Sequence, residues 1–154
     1  MVSKIQVCTD GAARGNPGPA GAGAVLQTAD GKVVGRIGRF LGHQTNNVAE
    51  YEAIVLGLQA ALELGAKQVR LVSDSELLIK QINGVYRVKA AHLKPFHTQV
   101  LALARQFESF EAVHVKRESN KAADQMANRA VDEELDGTLE RVGSGSWPEP
   151  PAEG

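Results

Sequence analysis

Hydrophobic and polar positions follow a short period in the first third of this chain. Residues 5–9 form an apolar run typical of a buried strand, and residues 21–27 and 32–40 have the same extended character. Asp30 and Gly31, between the second and third runs, form a strong hairpin signal. The pattern therefore predicts three strands in antiparallel succession.

The hydrophobic pattern then changes to a helical period. Apolar side chains recur at three- and four-residue steps over residues 48–64, as on the buried face of a helix. A polar Thr-Asn-Asn group before this run offers N-cap side chains, and Gly65 after it is typical of a helix end. The sequence therefore predicts a long first helix.

Strands and helices alternate in the second half of the chain. Asp74 and Ser75 are suited to cap a short helix, and Pro95 favours the first turn of another. The predicted elements are a strand at 69–73, a helix at 76–83, a helix from Pro95 to about 107, a strand at 110–116 and a helix at 120–135.

This order of elements predicts a mixed α/β fold. We expect a five-stranded mixed sheet, with three antiparallel strands followed by β-α crossovers, flanked by helices. Residues 136–154 are rich in glycine, proline and serine and show no periodicity. We therefore expect residues 1–135 to form one domain and residues 136–154 to form a flexible acidic tail.

The composition is that of an ordinary globular domain. The chain has 154 residues, of which 43% are hydrophobic and 23% charged, and no apolar run is long enough to span a membrane. Its one cysteine, Cys8, cannot form a disulfide within the chain, which favours a reducing compartment. These features predict a cytoplasmic protein, and we expect a monomer.

Charge is distributed unevenly along the chain. The net charge is −1, but residues 1–131 hold 16 basic and 11 acidic residues, whereas residues 132–154 hold seven acidic residues and one basic residue. No acid lies between Glu76 and Glu108, where several lysines and arginines fall. This segment is either a basic surface suited to a polyanion or a plain solvated face.

Four acids occupy positions that suggest chemistry when they are considered together. Asp10 and Asp74 end the first and fourth predicted strands, while Glu50 and Asp124 lie in the first turns of two helices. Singly, each has an ordinary role as a turn residue, a residue at a helix N-terminus or a surface acid.

A shared position at one sheet edge gives these acids a different meaning. The first and fourth strands would be neighbours in the predicted sheet, and open α/β sheets form their sites at this edge. Carboxylates that converge there repel one another unless a cation joins them, and such oxygen ligands suit Mg²⁺ or Mn²⁺. Two such ions can clamp an in-line phosphoryl displacement.

Four segments carry a resemblance to a known family. The stretches TDGAARGNPGPAGAG, TNNVAEYEAI, SDSELLIKQI and NKAADQMANRA occur in this order within residues 3–134. Together they resemble type 1 ribonuclease H. The resemblance implies a ribonuclease H-like fold and an endonuclease that hydrolyses the RNA strand of RNA-DNA hybrids with two Mg²⁺ ions, leaving 3′-hydroxyl and 5′-phosphate ends. Mn²⁺ is the expected substitute.

The resemblance also implies roles for individual residues. Asp10 would bridge both ions, Glu50 and Asp74 would hold the ion near the leaving 3′ oxygen, and Asp124 the ion that activates water. Glu50 also matches a contact to the ribose 2′-hydroxyl, which distinguishes RNA from DNA. The other implied substrate contacts are Gly11, Gly15, Asn16, Thr45, Asn46, Asn47 and Glu76. Glu76 departs from the glutamine that the family often has there.

Two further departures concern catalysis and binding. The short loop before Asp124 lacks the histidine that many members carry, and His114 falls on a predicted strand. The resemblance leaves Arg117 and Asn120 as candidates near the scissile phosphate, although Arg117 is equally suited to be a surface cation. Residues 84–97 lack the basic, tryptophan-rich protrusion of some members, which predicts weaker and more salt-sensitive binding.

Other functions stay open at this point. A DNA nuclease of the same superfamily would share the acids, and a catalytically weak or silent hybrid-binding module would share the substrate contacts. The sequence also leaves two positions for Arg14, which faces either the hybrid backbone or solvent.

Overall fold

The computed structural model describes residues 3–142 as one mixed sheet with helices on both faces. The strands are β1 (Lys4–Ala13), β2 (Gly18–Gln27), β3 (Val33–Gln44), β4 (Gln68–Ser73), β5 (Ser109–His114) and β6 (Glu140–Arg141). The helices are α1 (Asn46–Glu63), α2 (Glu76–Ile82), α3 (Lys94–Ala104) and α4 (Lys121–Asp132), with 3₁₀ turns at Ala91–Leu93 and Arg117–Ser119. Within this part of the chain, no helix combines the length and apolar character that a membrane span requires.

The sheet has the order β5-β4-β1-β2-β3-β6. β2 pairs antiparallel with β1 and β3, whereas β4 pairs parallel with β1 and β5. This arrangement confirms the predicted mixed sheet and the adjacency of the first and fourth strands. The prediction of five strands was one short, because β6 pairs antiparallel with the outer edge of β3 in the described chain.

The start of the predicted flexible tail contacts the sheet. Asp136 forms an isolated bridge with Arg39, and Glu140 and Arg141 of β6 pair with β3. The prediction that a flexible tail begins at Asp136 is therefore wrong for residues 136–142, which lie against the sheet. Residues 143–154 of that prediction lie outside the described residues.

The first strand is longer than its apolar run. β1 continues through Ala13, whose partner in β2 is Ala20, so that Asp10 lies inside the strand and opposite Gly23. The parallel pairing with β4 ends one residue earlier, at Thr9 and Ser73. Asp10 therefore does not end its strand, as the sequence predicted, but it does lie where β4 ends.

Helix α1 covers one face of the sheet and begins at Asn46, two residues before the predicted apolar run, with Thr45 of the predicted capping group as its N-cap. The Oγ of Thr45 accepts a hydrogen bond from the Val48 N–H at 3.3 Å and caps the helix. Its inner side packs on β1 and β2 in a core that includes Tyr51, Ile54 and Leu58. Burial of these side chains is the main stabilising term that fixes α1 against the sheet.

Helix α4 covers the other face and lies very close to β2. A Cβ added to Gly21 would lie 2.5 Å from the Ala127 carbonyl oxygen, and one added to Gly23 would lie 2.4 Å from the Ala127 nitrogen. Small residues in β2 therefore allow the helix backbone to contact the sheet. This close packing brings Asp124, in the first turn of α4, to the part of β1 that carries Asp10.

Candidate metal centre

Three carboxylates meet where β1, β4 and α1 come together. Asp10 lies in β1, Glu50 in α1, and Asp74 directly after β4. One carboxylate oxygen from each lies within 4.8 Å of the others. Glu50 is the fifth residue of α1, just beyond the first turn in which the sequence placed it. Hard oxygen donors at this spacing suit a divalent cation such as Mg²⁺ or Mn²⁺.

Burial and mutual repulsion shift the titration of this group. Asp10 is only 6% exposed. Its burial, followed by the charge of Asp74 and a hydrogen bond with Asp124, raises the pKa of Asp10 to about 7. Burial, followed by the charges of Asp10 and Asp74, raises the pKa of Glu50 to about 9. The cluster therefore retains protons at neutral pH unless a cation compensates its charge.

Asp124 joins this cluster from the opposite face of the sheet. It lines the same cleft as Asp10 and Glu50, and it contributes to the raised pKa of Asp10. It is not among the three acids whose oxygens are mutually within 4.8 Å. The structure thus brings all four predicted acids together as a compact group of three with Asp124 beside it.

The turn after β1 is tied to the start of α1. The Oδ1 of Asn16 accepts a hydrogen bond from the Asn46 N–H at 3.0 Å. Gly11 and Asn46 line the cleft beside the acids, and Gly15 lies in the exposed turn with a φ of 96°. Two of the four predicted contact residues, Gly11 and Asn46, therefore lie next to the carboxylates, and Asn16 is joined to them through Asn46.

Three other predicted contacts have additional or different partners. Thr45 caps α1 through its hydroxyl, and Asn47 is exposed in the first turn of that helix. Glu76 forms an ion pair with Lys80 at 2.8 Å, and this hydrogen-bonded partner lowers the pKa of Glu76. Glu76 thus lies apart from the acid cluster, since Lys80 holds its carboxylate on the surface of α2.

Arg117 and Asn120 occupy different environments. Arg117 is exposed and lines the cleft with Asp10 and Asp124, as a residue near the scissile phosphate would. Asn120 is only 2% exposed, and its Nδ2 donates a hydrogen bond to the Thr9 carbonyl oxygen at 2.9 Å. This position corrects the expectation for Asn120, which joins α4 to β1 beneath the site. His114 is the last residue of β5 and is exposed, as its place on a strand predicted.

The contact between Arg14 and Asn128, which lies beside the site, was not predicted from the sequence. Arg14 hydrogen-bonds Asn128 and Asp132 of α4, and Asn128 hydrogen-bonds Asp124. The available signal was the four-residue spacing of Asp124, Asn128 and Asp132, which places them on one face of a helix. The partner of that face, Arg14, is distant in sequence and gave no such signal.

Comparisons with known proteins identify the family. A family profile described as reverse transcriptase-like matches residues 8–130. The chain is also 38% identical over 130 residues to ribonuclease HI of Halobacterium salinarum. The crystal structure of RNase H1 from this archaeon superposes with a TM-score of 0.82 at 37% identity and covers 85% of this chain and 99% of that one. The chain belongs to the type 1 ribonuclease H family.

Two further relatives of the ribonuclease H family resemble the chain. It is 42% identical to the bifunctional protein Rv2228c of Mycobacterium tuberculosis, whose N-terminal RNase H domain superposes with a TM-score of 0.82 over 85% of this chain and 95% of that one. LC11-RNase H1, solved in complex with an RNA/DNA hybrid, is 38% identical with a TM-score of 0.79, and the match covers 84% of this chain and 97% of that one.

Length differs among the ribonuclease H relatives. The matched segment covers 84% of this chain in both sequence comparisons, but only 36% of Rv2228c and 65% of the Halobacterium protein. The family and the fold therefore follow from the matched domain.

Proposed function

We propose that this protein is an endonuclease that hydrolyses the RNA strand of RNA-DNA hybrids. The observation that carries the proposal is the meeting of Asp10, Glu50 and Asp74 within 4.8 Å, with Asp124 beside them. The hybrid-bound relative LC11-RNase H1, at 38% identity, supports the choice of substrate.

The four acids would hold two divalent cations, for which Mg²⁺ is the proposed metal and Mn²⁺ a substitute. The donor set fits, because it consists of carboxylate oxygens whose mutual repulsion a cation relieves. When bound, the ions supply an activated water and stabilisation of the leaving 3′ oxygen. Asp10 would contribute to both ions, Glu50 and Asp74 to the ion near the leaving oxygen, and Asp124 to the ion that activates water.

The neighbouring polar surface would hold the hybrid. Gly11 and Asn46 line the cleft beside the acids, and Asn16, which follows Gly15, hydrogen-bonds Asn46. All four would face the minor groove of the hybrid, where both strands and the ribose 2′-hydroxyl are accessible. Glu50 would accept a hydrogen bond from that hydroxyl. Arg117 is the cation that lines the cleft with Asp10 and Asp124, and its charge suits the scissile phosphate.

The remaining substrate contacts follow from residues at the edge of this surface. Thr45 caps α1 and Asn47 lies in its first turn, and we assign Thr45 to the DNA strand and Asn47 to the minor groove. Glu76 would contact the RNA only after its carboxylate leaves Lys80. Three exposed basic side chains, those of Arg87, Lys89 and Lys94, would add phosphate contacts that weaken as the salt concentration rises.

Assembly and location are part of the same proposal. All four carboxylates come from one chain, which supports action as a monomer. Cys8 is buried with a free thiol, and its burial raises the pKa of that thiol, which supports a reducing, cytoplasmic setting.

A substrate panel tests the proposal. The purified protein is given labelled RNA-DNA hybrid, double-stranded RNA and double-stranded DNA, each with Mg²⁺, with Mn²⁺ and with EDTA. We expect metal-dependent cutting of only the RNA strand of the hybrid. Cutting of duplex DNA would favour a DNA nuclease instead, whereas tight hybrid binding without any cutting would favour a silent binding module.

A further inference from the structure

Arg14 reaches from the end of β1 to the surface of α4. Its Nη1 donates a hydrogen bond to the Asp132 carboxylate at 2.7 Å, and its Nη2 donates to the Asn128 Oδ1 at 3.2 Å and carbonyl oxygen at 3.3 Å. The guanidinium is therefore held by three acceptors on one face of α4, although its side chain keeps 44% of its surface exposed. We call Arg14 and Asn128 the Arg14–Asn128 bridge.

Asn128 passes this contact on to Asp124. Its Nδ2 donates hydrogen bonds to the Asp124 carbonyl oxygen at 3.0 Å and to the Asp124 Oδ1 at 3.4 Å. An asparagine amide can present either its oxygen or its nitrogen to a neighbour. Because Arg14 can only donate, it binds the Asn128 oxygen and leaves the nitrogen directed to Asp124. The cation thus selects the amide orientation that a carboxylate needs.

Stability alone gives little reason for this arrangement. The side chains of Arg14 and Asp132 are 44% and 61% exposed, and ion pairs at such positions contribute little to the free energy of folding. The chemistry beside them gives a stronger reason. Asp124 faces the acidic group around Asp10, which repels its carboxylate, and a donor behind it opposes that displacement.

We propose that the Arg14–Asn128 bridge positions the Asp124 carboxylate and thereby sets the affinity of the site for the divalent cation that Asp124 holds. This inference rests on the proposed function, since it requires that the acids bind metal. Groups that hydrogen-bond metal ligands from outside typically change metal affinity or activity by about 10- to 100-fold when they are lost. Arg14 and Asn128 are positioning residues here.

The bridge also restrains the turn proposed to touch the hybrid. Arg14 directly precedes Gly15 and Asn16, and its guanidinium fixes the base of this turn to α4. A contact from Arg14 to a phosphate would draw on the same guanidinium that binds Asp132 and Asn128. The experiment therefore has to distinguish an effect on metal binding from an effect on hybrid binding.

The primary measurement is metal binding in the absence of substrate. Metal-free full-length protein is titrated with Mn²⁺ by calorimetry, as wild type, Asn128→Ala, Arg14→Ala and the double variant. Arg129→Gln is the matched control, because it removes a half-exposed arginine of α4 whose ion pairs are with Glu133 and Glu140 rather than with the acid cluster. Asp124→Asn, which removes the proposed ligand, gives the reference for loss of its metal contact.

We expect the weaker Mn²⁺ binding step to lose about tenfold in affinity in Asn128→Ala and in Arg14→Ala. The double variant should lose no more than the larger single effect, because both residues act through one contact. Arg129→Gln should titrate like wild type. Equal Mn²⁺ affinity in wild type and Asn128→Ala would overturn the inference while leaving the metal centre intact. Absence of Mn²⁺ binding by wild type would instead contradict the proposed function.

A second readout separates the two positions considered for Arg14. In hybrid cleavage assays, we expect Arg14→Ala to raise the Mg²⁺ concentration for half-maximal rate about tenfold with little change in KM for the hybrid. Arg14→Lys should need less Mg²⁺ for half-maximal rate than Arg14→Ala, since lysine keeps a charged donor. A higher hybrid KM and a reduced salt dependence with unchanged metal affinity would show that Arg14 contacts phosphate and that the inference is wrong.

Discussion

Gly11 of β1 lies against the backbone of Ala49 in α1, so close that a Cβ on Gly11 would be 2.3 Å from the Ala49 carbonyl carbon. Asp10, which precedes Gly11 in β1, and Glu50, which follows Ala49 in α1, are both members of the acid cluster. The resemblance in sequence implied that Gly11 contacts the substrate. The structure gives an internal reason, which is that this contact sets the separation of the two carboxylates.

We expect Gly11→Ala to destabilise the protein, because neither backbone at the contact can yield without moving an element. Overpacking of this kind costs about 1–3 kcal/mol. Gly35→Ala is the comparison, since the nearest atom to its added Cβ is a flexible leucine methyl at 3.2 Å. The midpoint of urea unfolding should fall clearly more for Gly11→Ala. Equal midpoints for the two variants would contradict the rigid contact.

Stability of the metal-free protein should fall as pH rises. The folded state raises the pKa of Asp10 from 3.8 to about 7 and that of Glu50 from 4.5 to about 9. Their contribution is fully present below the unfolded values and is lost as the pH passes through the folded values. Urea unfolding in EDTA between pH 5 and pH 9 should therefore show a decreasing free energy of unfolding, by more than about 1 kcal/mol.

Two controls accompany this pH series. Mg²⁺ should raise the stability at pH 8, because it compensates the charge that the carboxylates develop there. Asp10→Asn should show a weaker decline, since it removes one titrating group and one repelling charge. A metal-free wild type with constant stability across this range would contradict the electrostatic account of the cluster.

The buried amide of Asn120 should contribute to stability rather than to substrate binding. Asn120→Ala removes the buried hydrogen bond to the Thr9 carbonyl oxygen, at a cost of about 1–3 kcal/mol. Asn83→Ala is a matched control, because Asn83 makes the same type of contact to the Ala112 carbonyl at an exposed position. Its cost should stay below about 0.5 kcal/mol.

Measurements of unfolding and of hybrid binding distinguish a structural role of Asn120 from a role near the scissile phosphate. We expect its alanine variant to keep the hybrid affinity of wild type at a temperature where both are folded. A variant of unchanged stability with weakened hybrid binding would restore the role near the scissile phosphate that the sequence suggested.

Periodicity predicted the helices and the order of most strands, because these elements bury regular apolar faces. It failed where small residues form the sheet. Residues 11–13 and 18–20 carry no β-branched or aromatic side chain, yet residues 11–13 pair with β2 and residues 18–20 pair with β3. Their strand conformation depends on the partner strand and on α4, which pattern along the chain does not reveal. The two residues of β6 are likewise too few for a periodic signal.

The candidate site was predicted more fully than its surroundings. The four acids could be named from motifs and from the expected sheet edge. The burial of Asn120 and the contact of Arg14 with α4 could not be predicted from the sequence, because both depend on how helix and strand pack in space. Polar residues of this kind have the same appearance in a sequence whether they face substrate, solvent or a neighbouring element.

The missing loop histidine leads to a prediction for His114. This residue is exposed at the end of β5, and it does not line the cleft that holds Asp10 and Asp124. We expect His114→Ala to keep the hybrid cleavage rate within about threefold of wild type, whereas loss of a general acid or base typically costs about 10²–10⁴-fold. The cleavage rates of wild type and His114→Ala are measured under single-turnover conditions with saturating Mg²⁺. A drop of about a hundredfold or more would assign His114 a part in proton transfer.

The most direct measurement of the two-metal centre compares wild type with Asp10→Asn on one labelled RNA-DNA hybrid, with cleavage and binding measured in parallel. Because Asp10 is the acid proposed to contact both ions, the variant should lose detectable cleavage in Mg²⁺ while hybrid binding persists. Glu111→Gln, which removes an exposed acid paired with Arg70 on β4, serves as the control and should cleave like wild type. Cleavage by Asp10→Asn at the wild-type rate would contradict the assignment of these carboxylates as a two-metal centre.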